Sequence, residues 1–168
     1  MTSEDSLCYQ PTANDCADDH VVFFIPGNPG LISYYEPFLF TLSSLLKEEG
    51  IATCVYGHTL AGFEAPSGPP VGLPDQILRT ENILHAFADA RRRVDSRNRT
   101  KAILVGHSVG AYILLELVRR HRSSAGGSKG NVDIIGGILL FPTVVDIAKS
   151  ALGLRFAVGH PLLVFRRL

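Results

Sequence analysis

Long apolar runs, early basic residues and a usable set of cysteines are what this 168-residue chain has least of. No stretch reaches the ~18 consecutive apolar residues that a membrane-spanning helix needs. Cys8, Cys16 and Cys54 are an odd set without metal-ligand spacing, so neither a disulfide framework nor a metal site is expected, as suits a reducing cytosol. Sixteen Lys and Arg balance sixteen Asp and Glu, and a net charge of zero gives no global field to draw nucleic acid. Residues 1–20 hold Glu4, Asp5, Asp15, Asp18 and Asp19 but neither Lys nor Arg. That charge is wrong for a secretory signal or transit peptide and reads as a flexible acidic tail. Trp is absent, yet apolar residues make up 46% of the chain and Gly and Pro are plentiful. The composition is that of a turn-rich globular domain rather than a disordered one.

The pattern that is present alternates strands with helices. Val21-Val-Phe-Phe-Ile25 is continuously apolar, as a strand buried on both faces must be, and Pro26-Gly-Asn-Pro-Gly30 stops it. A helix is predicted from Ile32 to Glu49, a strand over Ile51–Tyr56 and a Pro/Gly-rich loop over Gly57–Pro74. A long amphipathic helix over Leu73–Val94, a strand over Ala102–Val105 and a helix over Ala111–His121 follow. The last clear strand is Ile134–Phe141, closed by Pro142. This order predicts right-handed crossovers and a parallel sheet with helices on both faces. Three segments are expected: a disordered acidic tail over 1–20, a partial α/β domain over 21–150, and an apolar, basic tail over 151–168.

One junction carries chemistry. Lys101–Val105 runs into Gly106-His-Ser-Val-Gly110 and then directly into a helix. A strand, G-x-S-x-G and a helix together make a nucleophile elbow, in which Ser108 sits in a strained turn with its Oγ exposed above the sheet. Gly106 and Gly110 relieve the crowding of that turn. An acyl-transfer serine also needs an oxyanion hole. The Val109 N–H, at the start of the new helix, supplies one donor, and the loop Pro26–Gly30 is expected to supply the other through Asn28. His107, next to the serine, is read as a packing residue, and His58 as a possible pocket residue on the carboxyl edge of the sheet. No metal or cofactor is expected, since neither a G-x-G-x-x-G turn nor a P-loop lysine follows any strand.

In this fold an acid and then a histidine follow the nucleophile in chain order. Downstream of Ser108 the acids are Glu116, Asp133 and Asp146 and the histidines are His121 and His160. Ser108–Asp146–His160 has the required order, although His160 follows no strand. The alternative for Asp146 is a helix start after Pro142.

Phe24-Ile-Pro-Gly-Asn-Pro-Gly30 with Tyr34 and Tyr35 behind it, His58, Gly106-His-Ser-Val-Gly-Ala-Tyr112 and Leu139-Leu-Phe-Pro-Thr143 occur together. In these motifs the chain resembles the lipid droplet-associated hydrolase family of the α/β-hydrolase superfamily, from about Val21 onward. The resemblance implies an α/β-hydrolase-type sheet with its C-terminal part missing. It also implies a serine esterase acting on sterol esters or neutral lipids, with Ser108 as nucleophile, at lipid droplets or the cytoplasmic side of the endoplasmic reticulum, not secreted. The family's acid and histidine fall beyond Leu168. A second reading stays open: a non-catalytic lipid-surface protein that docks on a droplet or membrane through residues 152–168, whose arginines would sit at headgroups.

Overall fold

A computed structural model describes residues 5–10, 19–64, 71–94, 99–123 and 131–143 of the chain. Five strands form one sheet in the order β1-β3-β2-β4-β5: β1 is Ser6–Tyr9, β2 His20–Ile25, β3 Cys54–His58, β4 Thr100–His107 and β5 Val132–Leu140. The strands β3, β2, β4 and β5 run parallel, and β1 joins antiparallel beside β3. Helix α1 is Glu36–Glu48, entered through a 3-10 turn at Ile32–Tyr35; α2 is Leu73–Val94 and α3 Val109–Ser123.

The alternation along β2 sorts the core into two layers. Val21, Phe23 and Ile25 pack with Ile77, Leu84, Ile113 and Leu114 from α2 and α3. Val22 and Phe24 face the other way, against Ile32 of the 3-10 turn and Leu39 of α1. Phe23, Phe24 and Ile25 are fully buried, each stabilising the fold by ~1.5–3 kcal/mol relative to exposure. A strand covered on both faces must be apolar throughout, which is why β2 shows no polar alternation. The chain thus has the α/β-hydrolase-type fold, with helices on both faces of a mainly parallel sheet.

One expectation fails at the start. Within the stretch read as a disordered tail, Ser6–Tyr9 forms β1. Leu7 is buried in the α1 layer and Cys8 packs toward the opposite one, so three residues of apolar alternation suffice to add an edge strand despite the surrounding acids. The remaining boundaries move by a few residues. The strand read as Ile51–Tyr56 lies at Cys54–His58, and β4 extends through His107.

Parallel strands place their carboxyl ends on one edge, and the loops from β2, β3, β4 and β5 gather there. The loop after β3 is pinned by several bonds. Thr59 N–H donates to the Asp5 carbonyl, Leu60 N–H to the Gly30 carbonyl, and the Thr59 hydroxyl accepts the Ile32 N–H. From α2, the Gln76 side chain accepts the Ala61 N–H at 3.0 Å and donates to the Ala61 carbonyl at 2.6 Å.

Candidate active site

Between the last residue of β4 and the first of α3 stands a single residue, Ser108, with φ 52°. This left-handed conformation is costly for a residue with a side chain. Its neighbours make the turn possible. A Cβ on Gly106 would stand 2.4 Å from the Gly110 carbonyl oxygen, and one on Gly110 would stand 2.3 Å from the Ile25 oxygen and 2.6 Å from the Pro26 oxygen. Backbone atoms cannot give way as a side chain can, so both positions admit only glycine. The elbow glycines expected from sequence are therefore demanded by the packing of α3 against the end of β4 at Gly106 and the end of β2 at Gly110.

The strand β5 and the three residues after it hold the elbow from the other side. Ser108 N–H donates to the Leu140 carbonyl at 3.0 Å, and Thr143 N–H donates to the Ser108 carbonyl at 3.2 Å. The Ser108 and Thr143 hydroxyls lie 2.9 Å apart. Phe141 adopts φ 45° and is 85% exposed, with its ring edge-on to His107.

The loop after β2 runs directly against the elbow: a Cβ on Gly27 would stand 2.9 Å from the Ser108 Cβ. Asn28 is exposed at the lip of this loop, and the Asn28–Pro29 peptide is cis. Val109 opens α3, whose first N–H groups have no partner within the helix and point toward the turn. Tyr35 ties the two loops together. Its hydroxyl accepts the Gly27 N–H at 3.0 Å and meets His107 Nδ1 at 2.9 Å. His107 is thus engaged away from the Ser108 hydroxyl, in keeping with a packing role.

His58 is a different case. It ends β3, separated from β4 by β2, and is only 3% exposed. Its ring packs on Phe23, and its Nδ1–H donates to the Thr59 carbonyl at 3.0 Å, while the buried Nε2 has no hydrogen-bond partner. Burial first, and the Arg79 charge in addition, lower its pKa from 6.5 to about 4 against the opposing Thr59 carbonyl. The residue expected to line a pocket is a neutral core histidine, because the pinned loop beyond β3 closes over it.

The acids and histidine that follow Ser108 within the described residues point elsewhere. Asp133 pairs with Arg99 at 3.1 Å, and Glu116 pairs with Arg119 along α3. His121 lines a cavity of about 60 Å³ with Glu81 and His85, beside the first residues of β5 and so at the end of the sheet opposite the elbow. Asp146, His160 and residues 152–168 lie outside the described residues. Sequence reasoning missed two residues of the site, Tyr35 and Thr143. Both stood inside quoted motifs, but their roles depend on which loops the sheet order brings together.

The sequence profile described as lipid-droplet associated hydrolase matches residues 18–166. The rat protein named lipid droplet-associated hydrolase is 32% identical over 145 residues, which cover 80% of this chain and 41% of the rat protein. Its human namesake is 28% identical over 155 residues, covering 88% and 44%. The chain spans less than half the length of these curated relatives. Among solved structures, one of the fungal esterases from Rhizomucor miehei superposes with a TM-score of 0.62 at 14% identity, over 90% of this chain and 44% of the esterase. That likeness shows the fold alone.

Proposed function

The chain belongs to the lipid-droplet associated hydrolase family, and from that membership we propose that it carries the nucleophile of a serine ester hydrolase acting on lipid esters. The observation that carries this reading is Ser108 at φ 52° between β4 and α3, flanked by glycines that the surrounding backbone requires. A non-glycine residue held in a costly conformation at the carboxyl edge of a parallel sheet supports a chemical use for its hydroxyl.

In the proposed reaction Ser108 Oγ attacks the ester carbonyl carbon and passes its proton to a base. The carbonyl oxygen becomes an oxyanion held by the Val109 and Asn28 N–H groups. Collapse of the tetrahedral intermediate expels the alcohol, and water then releases the acid from Ser108. Thr143 is no base, since a neutral hydroxyl does not take a proton at neutral pH. It orients the Ser108 hydroxyl instead. The family name supports a sterol-ester or neutral-lipid substrate, met at a lipid droplet or the cytoplasmic side of the endoplasmic reticulum.

A fluorophosphonate probe tests the reading. An adduct on the Ser108 peptide, absent from Ser108→Ala, is the expected result. A folded chain that leaves Ser108 unmodified at saturating probe overturns it.

One observation favours a second reading, that of a lipid-surface protein without turnover. Among the described residues the Ser108 hydroxyl is bonded to Thr143 and not to an imidazole, and His107 Nδ1 is engaged by Tyr35. In that reading residues 152–168 dock on the lipid. Binding to anionic liposomes that falls with salt and is lost when Arg166 and Arg167 become Glu is expected; equal binding by the variant excludes it.

A further inference from the structure

On the far side of β2 from the elbow, the edge pair β1–β3 brings two thiols together. Cys8 stands opposite Tyr56 in the antiparallel register, and Cys54 lies two residues along β3, on the same face of the sheet. Their Sγ atoms are 3.8 Å apart. Cys54 is fully buried, while Cys8 is half-buried and reachable from the edge. The Gln10 amide reaches Cys8 Sγ at 3.9 Å. Across the face, Arg91 lies over the Phe87 ring, which stacks on Tyr56, and its charge acts on both thiols.

We propose that Cys8 and Cys54 form a peroxide-responsive dithiol, which a hydroperoxide closes to a disulfide that ties β1 to β3. The two sulfurs have different roles. The hydrogen bond from Cys54, foremost, then the Gln10 amide and the Arg91 charge, hold the Cys8 thiol below the usual thiol range against the opposing effect of burial. The same bond, with burial, pushes the Cys54 thiol up, so Cys54 keeps its proton. Because Cys8 is half-buried at the sheet edge while Cys54 is enclosed, a hydroperoxide meets Cys8 first: Cys8 is the nucleophile and Cys54 the resolving thiol.

The chemistry balances. The Cys8 thiolate attacks the terminal oxygen of the hydroperoxide: an S–O bond forms, the O–O bond breaks, and the alcohol, or water from hydrogen peroxide, leaves with a proton. Cys54 sulfur then attacks Cys8 sulfur. The S–S bond forms, the S–O bond breaks, and hydroxide leaves as water with the Cys54 proton. Two thiols are oxidised by two electrons and one hydroperoxide is reduced. The sulfurs need to approach by a further ~2 Å to reach bonding distance. Among the described residues, the strand that carries Cys8 is four residues long and pairs with β3 alone, so a small shift of it closes the gap.

The test uses the whole chain carrying Cys16→Ala, so that one pair remains. Hydrogen peroxide is expected to remove two hydrogen masses from the monomer and to yield a Cys8–Cys54 linked peptide that dithiothreitol separates. In a Cys54→Ala chain, a sulfenic-acid trap is expected to mark Cys8. Two thiols that both remain open to alkylation after peroxide, or links that join only separate chains, overturn the proposal. So does a Cys8→Ala chain whose Cys54 is trapped as fast as Cys8.

Discussion

The Tyr35 hydroxyl stands 2.9 Å from His107 Nδ1 and takes the Gly27 N–H at 3.0 Å, so one side chain from the turn before α1 joins the loop after β2 to the end of β4. Those are the two segments that the proposed oxyanion hole needs in fixed relation. Tyr35→Phe keeps the ring against Phe24 but removes both bonds. The expected cost is ~1–2 kcal/mol of unfolding free energy, read from urea titration, with faster hydrogen exchange at the Gly27 amide. Unchanged Gly27 exchange would show that the loops are held by other means.

Left-handed strain at Ser108 has a measurable sign. Ser108→Gly and Ser108→Ala both lose the bond to Thr143, but only glycine accepts φ 52° freely. The Gly variant is expected to be more stable than the Ala variant by ~1 kcal/mol. Gly110→Ala is expected to cost ~3 kcal/mol or more, because its Cβ meets the Ile25 and Pro26 carbonyl oxygens. Denaturation midpoints of the three variants decide both points.

Thr143→Val keeps a β-branched shape and removes the hydroxyl that meets Ser108 Oγ. We expect ~1 kcal/mol of lost stability. Fluorophosphonate labelling of Ser108 is expected to change in rate, since the serine rotamer is no longer held. A labelling rate equal to that of the unmodified chain would deny Thr143 an orienting role.

His58 makes stability depend on acid. The unfolded histidine takes a proton near 6.5, whereas the buried one resists down to about 4. Above 6.5 the residue is neutral in both states and stability is at its plateau. As pH falls between those values the unfolded chain binds a proton that the folded chain refuses, so stability drops, by ~3 kcal/mol in all. His58→Asn, which keeps a donor for the Thr59 carbonyl without the titration, is expected to flatten this slope in unfolding curves taken across that window.

The elbow was legible because three signals coincide at one place: a β-branched run, two glycines spaced around a serine, and a helical pattern that begins at once. Helix α2 was legible in full, Leu73 to Val94, because twenty-two residues sustain one period. β1 was not, since four residues between acidic neighbours carry too little pattern. Its place depends on Cys8 and Leu7 finding opposite layers of a sheet formed far along the chain. Thr143 was invisible as a partner of Ser108 because their meeting depends on the β4–β5 register, which includes an irregularity at Ala102/Ile103. His58 was misjudged for a related reason. Its position on the carboxyl edge was readable, but the burial imposed by the loop beyond it rests on bonds from Asp5, Gly30 and Gln76.

That Gln76 contact reaches further than its two hydrogen bonds. A primary amide that takes the N–H and gives to the C=O of one residue imitates an adjacent strand, so at Ala61 the loop beyond β3 borrows a single rung from a helix. Asn is one methylene shorter, and Glu at neutral pH offers no donor. The rung also fixes phase: advancing α2 by one residue would swing position 76 by about 100° and unhook it. The rotational setting of α2 and the path of the chain just beyond His58 are therefore coupled through one side chain, and a turn of that helix pulls on the loop that buries His58.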